Sequence, residues 1–135
     1  MFQILIFLVL GVAAAYGFIW LATSKSKTDG RWFRIGLAVA AIIYLNLGWA
    51  AGVGMNVMLL EVGGVVLFGT LAFLGRGGWS KLLAIGWLLH PVWDLVLHAP
   101  FGPHDHAPEW YVWACVSFDM IVGMYLLQLQ KNEVH

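Results

Sequence analysis

The chain has 135 residues, of which 61% are hydrophobic and only 10% are charged, and its mean hydropathy is +0.84. Soluble globular domains carry about 25% charged residues, so this composition excludes an ordinary soluble domain and predicts an integral membrane protein. The formal net charge is zero, which argues against nucleic acid or an acidic surface as a partner. Cys115 is the single cysteine, so no intrachain disulfide can form.

Five apolar segments, each of about 20 residues, predict an all-α bundle of five transmembrane helices in one domain over residues 1–135. In chain order they cover about 2–22, 35–51, 55–74, 81–98 and 110–128. The first segment is interpreted as a membrane helix rather than a signal peptide, because Met1-Phe2-Gln3 carries no basic side chain. A glycine-rich turn, Gly52–Gly54, joins the second and third segments, and a Pro/His-rich loop over 99–109 joins the last two.

The distribution of basic residues predicts the orientation of the bundle. Every Lys and Arg falls in the first loop, the third loop or the C-terminal tail, which lie on one side of a five-helix arrangement: Lys25, Lys27, Arg31, Arg34, Arg76, Lys81 and Lys131. Because positively charged loops stay in the cytoplasm, we expect the N-terminus outside and the C-terminus inside. The loop over 99–109 is then extracytoplasmic.

Three carboxylates lie inside these apolar segments, whose interiors contain no Lys or Arg: Glu61, Asp94 and Asp119. An Asp at the centre of a membrane helix costs roughly 2.5–3.5 kcal/mol on insertion scales. Three such acids would cost on the order of 7–10 kcal/mol if they faced lipid. Protons, a bound metal, or a cationic or polar ligand must therefore compensate for them.

The ionisable residues of the membrane segments are predicted to lie at one depth, in the outer leaflet. His90, Asp94 and His98 are spaced i, i+4 and i+8, which places them on one stripe of a helix. At 1.5 Å per residue, Asp94 and His90 lie about 6 and 12 Å below His98. Asp119 lies about 13 Å from the outer end of the fifth helix, and Glu61 about 9 Å from the outer end of the third.

Imidazole nitrogens and carboxylate oxygens that converge from facing helices are the ligand set of zinc, iron or manganese. We therefore predict that His90, Asp94, His98 and Asp119 bind a divalent transition metal, with zinc and iron as the leading candidates. Glu61 and Asp94 are the predicted acid–base residues of a reaction on a lipidic substrate that enters from the bilayer. A Lewis-acid metal would favour hydrolysis, whereas iron would favour oxidation.

Other side chains are predicted to support this site. Four of them would line the pocket or orient its ligands: Tyr44, Asn46, Trp93 and Cys115. In the extracytoplasmic loop, His104 and His106 flank Asp105, and such a short His-rich tract can capture metal or cover a site.

Two metal-free interpretations remain open, so the sequence does not decide whether the protein is an enzyme. In the first, His90 and Asp94 bond to each other while Glu61 and Asp119 are protonated. The pocket would then belong to an acid–base isomerase or a lipophilic-ligand-binding protein, or would be structural. In the second, Glu61 and Asp119 exchange protons for a cation in a proton-coupled transporter or ion-conducting protein, although no paired repeat is evident.

The C-terminal part of the chain carries the pattern H-x2-W-D-x3-H over 90–98, a Pro-rich loop, and W-Y-x3-C-x3-D over 110–119. This pattern, within about the last 45 residues, resembles a family of small bacterial integral-membrane proteins of unknown function. The resemblance implies a bacterial inner-membrane location and one shared site that contains His90, Trp93, Asp94, His98, Cys115 and Asp119. It implies no activity. A looser likeness to sterol-isomerase-type membrane proteins would imply proton shuttling. Separately, the small residues on the helix faces are compatible with a homodimer.

Overall fold

A computed structural model describes residues 1–25, 30–76, 81–98 and 106–133. Within these ranges the protein is all-α, as predicted, and has no strand. The helices are α1 (Phe2–Lys25), α2 (Arg31–Ala50), α3 (Met55–Leu74), α4 (Lys81–Leu97) and α5 (Glu109–Glu133). Four of them, α1, α2, α3 and α5, are long and apolar enough to cross a membrane. The fifth, α4, has 17 residues, at the short end of the length that a membrane helix needs.

Glycine and proline set the ends of several helices. Gly30 has a φ of 60° just before α2, and Gly52 has a φ of 66° in the turn between α2 and α3. Glycine adopts this left-handed conformation without the steric cost that a Cβ would add, so the chain can reverse within a few residues. At the start of α5, the carbonyl of Pro108 accepts hydrogen bonds from the amides of Tyr111 and Val112. Helix α2 begins at Arg31, directly after Gly30, and thus before the apolar segment predicted to start at residue 35.

Helix α4 packs against α5, α3 and α2. Its buried face includes Trp87, His90 and Asp94. The indole nitrogen of Trp87 donates a hydrogen bond of 3.1 Å to the carbonyl of Phe33 on α2. The face of α4 that carries the predicted site residues is therefore covered by its neighbours, whereas Val92 and Val96 on its other face are exposed.

Helix α1 packs mainly against α5 and makes few contacts with its neighbour in sequence, α2, among them the ring contact between Phe18 and Phe33. Gly11 allows this close approach, because a Cβ there would collide with the carbonyl of Ala114 and the hydroxyl of Ser117. The Ser117 hydroxyl also donates a hydrogen bond of 2.9 Å to the carbonyl of Leu8. As a result, a gap remains between α1 and α2.

The apolar core fills the half of the bundle where the basic residues lie. Phe33, Trp87 and Leu126 are almost completely buried there, and the ring of Phe18 lies 5.4 Å from that of Phe33. At the opposite end, a second small cluster contains Tyr44, Ala107 and Val112. The buried ionisable side chains lie next to this second cluster.

Candidate metal and acid–base site

Five predicted site residues are almost completely buried. The exposed fraction is 1% for Glu61, 0% for His90 and Asp94, and 1% for His98 and Asp119. The ion-pair partners that the structure gives the three acids are histidines rather than Lys or Arg. These residues form two groups of three, each with ligand atoms that lie within 4.8 Å of one another.

The first group, called the α4–α5 triad, consists of His90, Asp94 and Asp119. His90 Nδ1 lies 2.8 Å from Asp119 Oδ2, a hydrogen-bond distance, and 3.5 Å from Asp94 Oδ2. The Phe68 ring meets the His90 ring edge-on at 4.7 Å. Among the described residues, His90 Nε2 has no hydrogen-bond partner although it is buried. The triad is thus a His–Asp pair with one imidazole nitrogen left for other chemistry.

The second group, called the α3–loop triad, consists of Glu61, His98 and His106. Two imidazole nitrogens converge on one carboxylate oxygen, because Glu61 Oε1 lies 3.3 Å from His98 Nε2 and 3.4 Å from His106 Nε2. Neither contact gives Glu61 Oε1 a hydrogen bond of acceptable geometry, and it has no other among the described residues. The two imidazole rings lie 4.8 Å apart at an angle of 79°.

The two triads differ in how well they match a metal site. In a tetrahedral zinc site with bonds of about 2.0–2.2 Å, neighbouring ligand atoms lie roughly 3.3–3.6 Å apart. Both contacts to Glu61 Oε1, at 3.3 and 3.4 Å, fall in this range. In the α4–α5 triad, the contact of 3.5 Å between His90 and Asp94 also falls in this range, but the contact of 2.8 Å between His90 and Asp119 is shorter and is a hydrogen bond. The α3–loop triad therefore matches the spacing of metal ligands more closely, and the α4–α5 triad that of a hydrogen-bonded acid–base pair.

Tyr44, from α2, lies between the triads. Its ring stacks on that of His98 at 4.3 Å and 14°, and lies 5.8 Å from the ring of His90. Its buried hydroxyl is near enough to Asp94 to interact with it, but the geometry is not that of a hydrogen bond. Glu61 also interacts electrostatically with Asp94 and His90. The two triads are therefore neighbours within one polar region.

Of the four predicted metal ligands, the structure brings three together. His90, Asp94 and Asp119 form one group, whereas His98 lies in the other group with Glu61 and His106. His106 was a loop candidate rather than a predicted ligand of the main site. The signal that pointed to it was the His-rich tract directly after the helix that carries His98. His104, the other loop candidate, lies outside the described residues.

The predicted pocket residues have different surroundings. Tyr44 lies between the triads, as described above. Asn46 is exposed, and its side-chain amide donates a hydrogen bond of 3.0 Å to the carbonyl of Ile42, so it does not reach either triad. Trp93 is half-buried and meets Phe68 edge-on at 5.8 Å. Cys115 is half-buried in a cavity beside Asp119.

This cavity has a volume of about 430 Å³ and lies between α1, α2 and α5, where α1 and α2 make few contacts. Its walls are almost entirely apolar, with Leu10 on α1, Ala40 on α2 and Phe118 on α5 among them. Asp119 also lines it, so the cavity reaches one member of the α4–α5 triad, whereas His90 and Asp94 are not among its lining residues. Nothing in the sequence predicts this cavity, since the residues of its walls resemble ordinary lipid-facing residues.

Comparison with known proteins supplies a family but no activity. Neither a curated protein nor a solved structure matches the chain. The profile of one protein family of unknown function matches residues 6–132, nearly the whole chain. This match confirms the expectation of an uncharacterised family, and the chain belongs to DUF6010.

Proposed function

We propose that this protein is an integral membrane metalloprotein that holds one divalent transition-metal ion, zinc or iron, in the α3–loop triad. The observation that carries this proposal is the convergence of two imidazole nitrogens on Glu61 Oε1, at 3.3 and 3.4 Å, inside the bundle. The α4–α5 triad serves as the neighbouring acid–base group. The reaction acts on a lipophilic substrate that enters between α1 and α2.

Charge balance supports one ion and one acid–base group rather than two ions. The polar region contains three carboxylates, and the ion-pair partners of these carboxylates are histidines. One divalent ion and one protonated imidazole, that of His90, balance three ionised carboxylates. Uncompensated charges are costly in a membrane interior, so this arrangement explains how the acids are tolerated without Lys or Arg.

The ligand set of the α3–loop triad suits catalysis. Two histidines and one carboxylate occupy three positions and leave at least one open for water or substrate. This is a ligand set of catalytic zinc and also of non-haem iron(II). The ligand set is therefore compatible with both hydrolysis and oxidation, and the identity of the bound metal decides between them.

The α4–α5 triad has the geometry of a proton-transfer group. Asp119 holds His90 through Nδ1 at 2.8 Å, which orients the ring and leaves Nε2 to take or give a proton. The cavity lined by Asp119 brings an apolar molecule to this group. Ligand pockets of this kind are mostly apolar with a few polar groups at one point.

The proposed placement in the membrane has the N-terminus outside and the C-terminus in the cytoplasm, in a bacterial inner membrane. The described basic residues support it, since they lie at the C-terminal ends of α1, α3 and α5 and at the N-terminal ends of α2 and α4. In an alternating bundle these ends all lie on one side. Both triads then lie toward the outer leaflet.

Metal analysis of the protein purified in detergent without chelators tests the proposal. We expect about one zinc or iron per chain. His98→Ala and His106→Ala should each weaken metal binding roughly 100-fold or more, because a structural zinc site gains about 10–16 kcal/mol from four ligands. His90→Ala is the matched control: it removes an equally buried imidazole from the other triad and should leave the metal content unchanged.

Three results would overturn the assignment. The first is a full complement of metal in both His98→Ala and His106→Ala. The second is an equal loss in His90→Ala, which would place the ion among the originally predicted ligands. The third is a protein that takes up neither zinc nor iron but retains a lipid or sterol, which would indicate a metal-free pocket. Gel filtration of each variant distinguishes loss of metal from loss of fold. His98→Gln is a second variant at this position, with a larger side chain than that of His98→Ala.

A further inference from the structure

A groove of about 610 Å³ lies between α2 and α3, at the end of the bundle where the basic residues are. Three arginines line it: Arg31, Arg34 and Arg76. The rest of its lining is apolar and consists of Ile35, Ala38, Gly69, Ala72 and Phe73. Neither triad contributes a residue to it, so it is distinct from the site described above.

The described residues that line this groove carry only positive charge, since none of them is a carboxylate. Arg31 and Arg34 lie in the first turn of α2, which contains no acidic residue, and this end of a helix carries a partial positive charge. The Arg76 guanidinium lies 3.6 Å from the centre of the Phe73 ring, which holds it at the edge of the groove. One guanidinium group can donate two parallel hydrogen bonds to two oxygens of a phosphate, so the groove is complementary to a phosphate group.

The apolar part of the groove indicates what the phosphate is attached to. The lining runs from Arg34 to Ala38 on α2 and from Phe73 to Gly69 on α3, the latter about 6 Å along the helix axis, and Arg76 lies just beyond the end of α3. The small side chain of Ala38 and the absence of a side chain at Gly69 leave space at the apolar end. A molecule with an anionic head and a hydrocarbon chain fits both parts, whereas inorganic phosphate would leave the apolar part empty.

We propose that this groove binds an anionic phospholipid of the cytoplasmic leaflet, with the lipid phosphate between the arginines and one acyl chain along Ala38 and Gly69. The inference rests on the proposed membrane insertion but not on the metal site. Anionic lipids are concentrated at the membrane surface that juxtamembrane basic residues face. In this proposal the arginines bind an individual anionic lipid molecule, rather than only attract the protein to a negatively charged membrane surface.

Native mass spectrometry with phosphatidylglycerol and phosphatidylcholine tests this proposal. We expect the wild-type protein to retain phosphatidylglycerol, and the double variant Arg34→Gln/Arg76→Gln to bind it roughly 100-fold more weakly, since each charged hydrogen-bond partner contributes about ten-fold. The matched control is Lys81→Gln/Lys131→Gln, which removes the same charge from two exposed residues outside the groove. Ala38→Leu should also weaken binding, because it fills the apolar part without changing the charge.

Several outcomes would overturn the proposal. An equal loss in both double variants would mean that the lipid responds only to net charge. Equal retention of the two lipids would remove the role of the arginines. Full competition by millimolar inorganic phosphate, with no effect of Ala38→Leu, would indicate a free-phosphate site. A protein that stays dispersed without detergent would contradict the membrane insertion itself, while metal binding would be unaffected.

Discussion

Gly64 offers the sharpest test of how α3 is held against α4. It lies one turn after Glu61 on the same face of α3. A Cβ at Gly64 would lie 2.8 Å from Cζ2 and 3.1 Å from Cε2 of Trp93. At the adjacent Gly63, a Cβ would meet no atom within 4 Å. Gly64→Ala and Gly63→Ala therefore make the same chemical change one residue apart, in a packed and in an open position.

The expected difference in stability follows from these distances. Carbon atoms in contact normally lie about 3.5–4.0 Å apart, so Gly64→Ala requires Trp93 or α3 to move by roughly 0.7–1.2 Å. Trp93 has little freedom, since its ring meets Phe68 edge-on at 5.8 Å. Overpacking of this kind costs about 1–3 kcal/mol. Gly63→Ala should be neutral or stabilising by up to about 1 kcal/mol, because alanine favours a helix.

Thermal unfolding in detergent, followed by circular dichroism, measures the difference. We expect the melting temperature of Gly64→Ala to fall by about 4–12 °C relative to Gly63→Ala. Metal affinity should fall with it, since a shift of α3 moves Glu61 relative to His98, and metal ligands tolerate displacements of only about 0.2 Å. The double variant Gly64→Ala/Trp93→Phe should recover much of the loss, because the smaller ring relieves the collision.

Equal melting temperatures for the two alanine variants would refute this reasoning, since they would mean that Trp93 does not pack against α3 at Gly64. A loss of stability that Trp93→Phe does not relieve would place the strain elsewhere. A stability loss without any change in metal affinity would show that Glu61 is not positioned by this contact.

Two further predictions concern α1 and the cavity beside it. Ser117→Ala removes the hydrogen bond to Leu8 and should cost about 0.6–1.7 kcal/mol of unfolding free energy; Ser24→Ala, in which the lost bond lies within one exposed helix turn, should leave stability nearly unchanged, and equal effects would contradict the α1–α5 contact. Ala40→Leu fills part of the cavity and should reduce the retention of apolar ligands in native mass spectrometry several-fold without lowering stability. Ala13→Leu adds the same side chain at an exposed position outside the cavity, and an equal effect there would show that the ligands bind the outer surface.

Hydropathy predicted the helices because each apolar segment is long and clearly bounded by polar or glycine-rich residues. The burial of Glu61, Asp94 and Asp119 could also be anticipated, since acids without basic neighbours cannot face lipid at low cost. The helix ends were less predictable. Helix α2 includes charged residues such as Arg31 that lie outside its apolar segment, and hydropathy alone does not predict that such residues are helical.

The division into two triads could not be predicted from the sequence. The rise per residue gives the depth of each side chain, but the partner of a side chain depends on how each helix is rotated about its axis. His90 on α4 and His98 directly after it have the spacing of one helix stripe, yet His90 contacts α5 while His98 contacts α3. The position of His106 depends further on the path of the loop before α5. Chain order was equally uninformative about α1, which packs against α5 through Gly11.

The arrangement of the triads has a consequence for catalysis that depends on Tyr44. Its ring stacks on His98 and lies 5.8 Å from the ring of His90, so it lies between the proposed metal ligand and the proposed acid–base histidine. In this arrangement the proposed ion would act on a substrate from one side of Tyr44, while His90 would move a proton on the other side. Because the cavity reaches Asp119 rather than Glu61, a lipophilic substrate would meet the acid–base group before the metal.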